Sequence, residues 1–346
     1  MQVVGGHRLA AAVAAAGVDV PHLVWGDALH DGPVPDEPDA ALASRRAGHI
    51  AAVTGAGPEV VAARLTRRDA RLDDALRGQA EIVLWFEADL HDQLQRLQVL
   101  ARIARTPGRA APARVSEAFA TGPAGGAEPA PAAQAFACRR RLDAAAIDFG
   151  ESAWRAFTSA DPTGFERLLD ADLDAVGAPR LARAIKRWRE EFPAVRDGLS
   201  RTERQTLEAL SRGLFRCRDL QSSVCRHGEQ DVFIDEAVYA SILCRLSRGP
   251  RPLLAHPDQR PVELPDPGRA AEQAWRVFWN DSLLITRAGR RVLAGDGDWM
   301  QDAPPRWLGG VCLNGVRGWR WDGAANRLRC SGAARDCDDP GSIASH

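Results

Sequence analysis

EIVLWFEADLHDQLQRLQVLARI, residues 81–103, is the stretch on which the reading of the fold turns. Its opening run, Glu81-Ile82-Val83-Leu84-Trp85-Phe86, is too short for a helix, rich in β-branched and aromatic residues, and without alternation. That is the pattern of a strand buried on both faces of a parallel sheet. From Asp89 the period changes: Leu90, Leu94, Leu97 and Ala101 recur at spacings of three and four, giving a helix with one apolar stripe. Glu87, Asp89, His91, Asp92 and Gln93 fall between or just inside the two elements. A short strand-to-helix turn gathers such groups at the carboxyl end of the strand, the edge where open α/β sheets bind ligands. A plainer reading stands beside this one, with Asp89 as the N-cap of the helix and Asp92 as a first-turn acid favoured by the helix dipole.

Toward the amino terminus, Val3-Val4 reads as a strand stub, Gly5-Gly6-His7 as a turn, and residues 8–16 as an alanine-rich helix stopped by Gly17. A strand, glycine turn and helix allow a phosphate-binding geometry, although neither GxGxxG nor a P-loop motif is present, and a tight βα turn reads the same way. A second strand, His22-Leu23-Val24-Trp25, runs into Gly26-Asp27-Ala28-Leu29-His30-Asp31-Gly32-Pro33, a loop stiffened by glycine and proline and carrying two carboxylates and a histidine. Helices are expected over 40–53, with Arg45 and Arg46 available for an anionic substrate or for nearby acids, and over 58–77. Taken together, residues 1–104 describe an α/β ligand-binding domain, a Rossmann-like parallel sheet with helical covers.

Residues 105–135 turn to Pro, Ala and Gly and read as a linker. Beyond it, 136–265 reads as a helical, winged-helix-like domain in which Ser200-Arg201-Thr202-Glu203 is a capping box. The basic run Arg201, Arg204, Arg212, Arg216, Arg218 makes DNA binding a second hypothesis, opposed by the acids Asp219, Glu229, Asp231 and Asp235 nearby. Residues 266–330 read as β-rich: SLLITRAGRRVLAG, from Ser282, is expected to form a hairpin, and four tryptophans within 299–321 read as core or as a stacking platform. The remainder, 331–346, is expected to be a disordered tail.

Composition limits the classes of function. The chain has 346 residues, 45% hydrophobic and 26% charged, with a net charge of −1, so its overall field offers nothing to attract nucleic acid. No apolar run approaches the ~18–20 residues of a membrane span, and no secretory leader is read at the amino terminus, so a cytoplasmic protein is expected. The seven cysteines are scattered with no CxxC pair, which argues against a zinc ribbon or disulfide framework and for small buried apolar residues. The first domain contains no cysteine and no serine nucleophile elbow, so covalent catalysis through either is not expected.

WGDALHDGPVP, LWFEADLHDQLQ, SAWRAFTSADP, GLSRTERQTLEAL and WLGG…WRWD resemble the bacterial domain-of-unknown-function family numbered eighteen-thirty-five, in its longer actinobacterial form. The resemblance covers nearly the whole chain except linker and tail. It implies an acid-rich strand-end loop, matched at Asp27, Asp31, Gly32 and Pro33, and an acid-Gln pair, matched at Asp92 and Gln93 beneath Trp85. The chain departs at the first turn, where Gly5-Gly6-His7 replaces the usual acid.

The expectation is therefore that the carboxyl ends of three strands, at Gly5, Gly26 and Phe86, lie side by side. Asp27, Asp31, Asp92 and His7 would then share acid-base work, with Gly5, Gly6, Trp25, His30, Arg45, Arg46, Trp85, Glu87, Asp89 and Gln93 lining the substrate site. The same acids would suit Mg²⁺ or Mn²⁺ against a phosphate. The function read here is an enzyme acting on a small polar, phosphorylated or nucleotide-like molecule, a hydrolase or group transferase. The alternative is a ligand-sensing regulator whose winged-helix-like segment binds DNA or protein.

Overall fold

A computed structural model of the chain describes residues 1–18, 21–78, 81–106, 114–119, 132–265 and 271–332. Residues 107–113 and 120–131 of the expected linker and all but the start of the expected tail lie outside them. The chain forms two compact units, one of residues 1–30 with 62–186 and one of residues 31–61 with the chain from 187 onward. The expected boundary at residue 104 is thus replaced by an interleaved division.

In chain order the elements begin with β1 (Gln2–Val4), α1 (His7–Ala15), β2 (His22–Val24), β3 (Gly32–Pro33), α2 (Asp39–Thr54) and α3 (Pro58–Arg77). They continue with β4 (Ile82–Trp85), α4 (Leu90–Arg105), β5 (Val115–Glu117), α5 (Ala132–Ala137), β6 (Arg140–Arg141) and α6 (Ala144–Thr158). In the first unit the strands pair in the order β2-β1-β4-β5-β6, parallel throughout except for β6. All four residues of β4 are buried, as the unbroken apolar run predicts for a strand covered on both sides. One cover packs Val3, Leu23, Leu84, Val99, Leu100 and Ile147 from β1, β2, β4, α4 and α6. The other packs Val4, Val13, Val83 and Trp85 with Ala132 and Ala135 of α5. Alternation along each strand sends successive side chains to opposite faces. β5 lies inside the expected linker: Val115 pairs with Ile82 and Glu117 with Leu84, so this short segment is a sheet strand.

In the second unit the elements continue after α7 (Thr163–Glu166) and the helix α8 (Leu181–Arg189), within which the division falls. They are α9 (Arg201–Ser211), α10 (Cys217–Gln221), α11 (Glu236–Leu246), β7 (Leu254–Ala255), α12 (Ala271–Asn280), β8 (Leu284–Ile285), α13 (Arg287–Ala294), β9 (Arg306–Gly309), β10 (Val311–Leu313), β11 (Trp319–Asp322) and β12 (Arg327–Cys330). The hairpin expected over 282–295 is instead one short strand and a helix. Thr286 caps α13 by accepting from the Gly289 amide at 3.0 Å, and β8 pairs antiparallel with β7. A threonine N-cap at one end and the left-handed Gly295 at the other outweigh the β-branched composition of the stretch.

The capping box at the start of α9 forms as the sequence predicts. The Ser200 hydroxyl accepts from the Glu203 amide at 3.2 Å and the Glu203 carboxylate from the Ser200 amide at 2.8 Å. Ser200→Ala should therefore lower stability by about 1 kcal/mol, read as a shifted midpoint of chemical denaturation at unchanged slope. Cys217, Cys225 and Cys244 are buried, and burial pushes the thiols of Cys217 and Cys244 up to about 12, which makes them packing residues. Cys312 is disulfide-bonded, which the scattered spacing gave no sign of. Among the described residues no helix is long and apolar enough to cross a membrane.

Candidate functional site

Parallel pairing with matched registers puts the ends of β1, β2, β4 and β5 on one edge of the first unit. The Gly5 amide donates to the Trp85 carbonyl (3.1 Å), the Trp25 amide to Val4 (2.9 Å) and the Ala118 amide to Leu84 (3.0 Å). The chain leaves β1 for β2 on one side and returns to β4 on the other, so the order reverses between β1 and β4. A crevice at such a reversal is where open α/β sheets place their ligands.

Asp92, in the first turn of α4, sits at that reversal. Its carboxylate accepts from the Glu87 amide at 2.7 Å and from the Gln95 side chain at 3.4 Å, and it is 7% exposed. Gly5 makes the room: a Cβ there would lie 2.1 Å from one Asp92 oxygen. Burial pushes the Asp92 carboxyl up to about 7, aided by the nearby Glu87 charge and opposed by the bond from the Glu87 amide. Asp89 does cap the helix, accepting from the Asp92 amide at 2.9 Å. The two readings of this turn therefore divide between the residues: Asp89 caps the amino end of the helix and Asp92 faces the neighbouring strand end.

Gln95, buried one turn further along α4, ties this centre to the second strand end, since its side-chain oxygen accepts from the Asp27 amide at 3.3 Å. Asp27 is itself buried. His30 and His91 meet edge to face with ring centroids 5.6 Å apart. The Gln93 side chain donates to the Glu87 carbonyl at 2.5 Å and holds the turn closed. His7 opens α1 and is exposed; that helix has no side-chain cap at Gly6 and no acid in its own first turn, and the Asp92 carboxyl stands against Gly5 just before it.

The aromatic candidates play another part. Trp25 packs in one core with its ring nitrogen donating to Gln98 (2.6 Å) and Arg68 stacked on it at 3.9 Å. Trp85 lies in the other core and donates to Gln2. Both wall the sheet and neither lines the rim. Asp31, Arg45 and Arg46 belong to the second unit, contrary to the expectation of one shared domain. There the Asp31 carboxylate meets His49 at 2.9 Å, the buried Arg46 donates to the Asp31 carbonyl at 2.7 Å, and Arg45 pairs with Glu37 at 2.7 Å. Gly32, at φ +81°, leaves the space that the His49 ring fills.

Charged residues that sequence reasoning passed over gather where β5 ends. Arg96 on α4 is buried against Glu117 of β5 and donates to the Gly177 carbonyl at 3.0 Å. Arg140 reaches the same carboxylate at 3.2 Å and the same carbonyl at 2.9 Å. Arg180 lies over the Phe119 ring at 3.6 Å; burial pulls its guanidinium down, Glu117 partly offsets this, and Arg96 adds to the depression. Three guanidinium groups thus gather around Glu117, with Glu87 also acting on Arg180. One signal was present: Asp92, Gln95 and Arg96 recur at spacings of three and four, which puts them on one face of the helix. Among the described residues no three His, Cys, Asp or Glu side chains stand close enough to hold a metal ion.

Fold and rim together define an α/β unit with a doubly covered parallel sheet and buried polar side chains at its topological reversal. Compared with known proteins, the chain matches no family model, no curated protein and no solved structure.

Proposed function

We propose that the first unit binds and acts on a small, polar, anionic molecule, phosphorylated or nucleotide-like, in the crevice between the ends of β1 and β4, as a hydrolase or group transferase. The observation that carries this reading is the buried Asp92 carboxyl, set against the bare backbone of Gly5 at the point where strand order reverses. A carboxyl titrating near neutrality is matched to general acid or base work. Asp92 would move the proton, Gln95 would hold it in register with the Asp27 loop, and the backbone amides at the amino end of α1 would receive the anionic end of the substrate. The regulator reading draws less support, because Arg201, Arg204 and Arg212 of its basic segment already pair with Glu190, Asp197 and Glu208.

Asp92→Asn is the variant to compare, since an amide copies the shape of the protonated carboxyl. Melting temperatures with a panel of nucleotides and sugar phosphates, with and without Mg²⁺, should rise for the wild type and rise much less for the variant. If no compound stabilises the wild type, or if the variant responds equally, the reading is wrong. The same pair gives a pH test that needs no ligand. A carboxyl whose folded value exceeds its unfolded one keeps its proton on folding, so its contribution is present at low pH and is lost as pH rises from about 4 toward 7. Over that window the wild type should lose up to about 1.4 kcal/mol per pH unit from this group, and Asp92→Asn should lack that slope in urea denaturation.

A further inference from the structure

A cleft of about 520 Å³ opens in the second unit between the end of α9 and the start of α13. Its size falls within the ~300–1,000 Å³ of small-ligand sites. Its walls are tied by backbone bonds: the Leu283 amide donates to the Phe215 carbonyl at 2.8 Å, the Cys217 amide to Asp281 at 3.0 Å, and the Thr286 amide to Leu253 at 3.0 Å. These bonds hold Phe215, 47% exposed, beside Leu284, 37% exposed, two of the large apolar side chains this protein leaves open to solvent. Ser211 and Gln259 add polar atoms, and Gln259 sits at φ +67°, a conformation that a residue without special need avoids.

Charge decides what such a cleft would accept. Arg287 and Arg290 are one turn apart on α13, exposed on its wall, and no hydrogen bond or ion pair engages either side chain among the described residues. No acid lines the cleft, and the nearest acids along the chain are taken: Asp281 and Asp258 by Arg260 at 2.8 and 3.2 Å, and Glu208 by Arg212 at 3.8 Å. Two free guanidinium forks beside an open aromatic ring suit a ligand with an anionic end and a flat apolar face.

We infer that this cleft is a second ligand site, independent of the rim, for a nucleoside phosphate: the phosphate between Arg287 and Arg290, the base against Phe215, and the sugar or base edge toward Ser211 and Gln259. The same chemistry is offered by a free nucleotide and by one unit of a single strand, so the test carries both.

Calorimetric titration of the full chain with AMP, inorganic phosphate, a short single-stranded oligothymidylate and an all-glutamate peptide, at moderate salt, checks it. AMP or the oligonucleotide should bind at least about tenfold more tightly than phosphate, because the base adds its stacking contact. Arg287→Ala with Arg290→Ala should weaken binding by about a hundredfold and Phe215→Ala by about tenfold, with melting temperatures near the wild type since all three side chains are exposed. An oligonucleotide advantage over AMP with steep salt dependence assigns the strand, and equal affinity assigns the free nucleotide. The proposal is overturned if neither binds, if the double variant binds as the wild type does, if Phe215→Ala has no effect, or if the glutamate peptide binds best.

Discussion

Gly5→Ala should destabilise the protein by about 2–5 kcal/mol, a large effect for one added methyl group. The new Cβ would lie 2.1 Å from Oδ1 and 2.5 Å from Cγ of Asp92, far inside contact distance. The carboxylate cannot swing aside cheaply, because it is buried and bound by the Glu87 amide and Gln95. Overpacking costs about 1–3 kcal/mol, and displacing a carboxylate from a buried amide donor adds a similar amount. A double-mutant cycle separates this contact from any general intolerance at Gly5. With Asp92→Ala in place the methyl has room, so its cost should fall by more than about 1 kcal/mol. Additive losses, or a single-variant loss below about 1 kcal/mol, would show that the two strand ends do not meet as described.

The second large effect is expected in the other unit, at Arg187. Its guanidinium donates to both oxygens of Glu229 at 2.7 to 3.0 Å, to Glu191 at 2.7 Å and to the Thr202 hydroxyl at 2.9 Å, all buried. Burial alone would pull this guanidinium down, yet Glu191 and Glu229 together leave it raised. Burial likewise pushes Glu191 up, and Arg187 and the Thr202 hydroxyl bring it below the usual carboxylate range. Arg187→Met keeps most of the volume and strands two carboxylates, which should cost about 3–5 kcal/mol at neutral pH. Glu191, held low in the native state, contributes stability above its unfolded value and loses it on acidification. Without Arg187 the buried Glu191 carboxyl would rise instead, so the variant should favour low pH and the gap to the wild type should narrow from pH 7.5 toward pH 4.5 in urea titrations. A constant gap would count against this network as the cause.

How far the sequence led depends on the range over which each signal acts. β4 and α4 were legible because an apolar run and a helical stripe are decided within about twenty residues. The meeting of Gly5 with the acid end of α4 followed from parallel topology, and the capping box at Ser200 from a four-residue motif. β5 was hidden because its three residues sit in a Pro/Ala/Gly context and become a strand only by pairing with Ile82 and Leu84. Trp25 and Trp85 looked like ligand contacts at strand ends, but strand alternation turns them into the two cores. Glu117, Arg140 and Arg180 come from three separate segments, and nothing local announces that they converge. The placement of Asp31, Arg45 and Arg46 in the second unit depends on β3 pairing with β9, across more than half the chain.

That last pairing sets a timetable. Gly32 and Pro33 lie beside Leu308 and Gly309, so the early piece of the second unit emerges from the ribosome long before its partner strand exists. Through most of synthesis this piece must wait unpaired while the parallel sheet that flanks it in the chain is already assembling. Contacts so distant in sequence slow folding and leave strand edges open to the wrong neighbours. Any attempt to produce either half from a single cut would separate β3 from β9 or β1 from β4, and should give insoluble material where the intact chain folds.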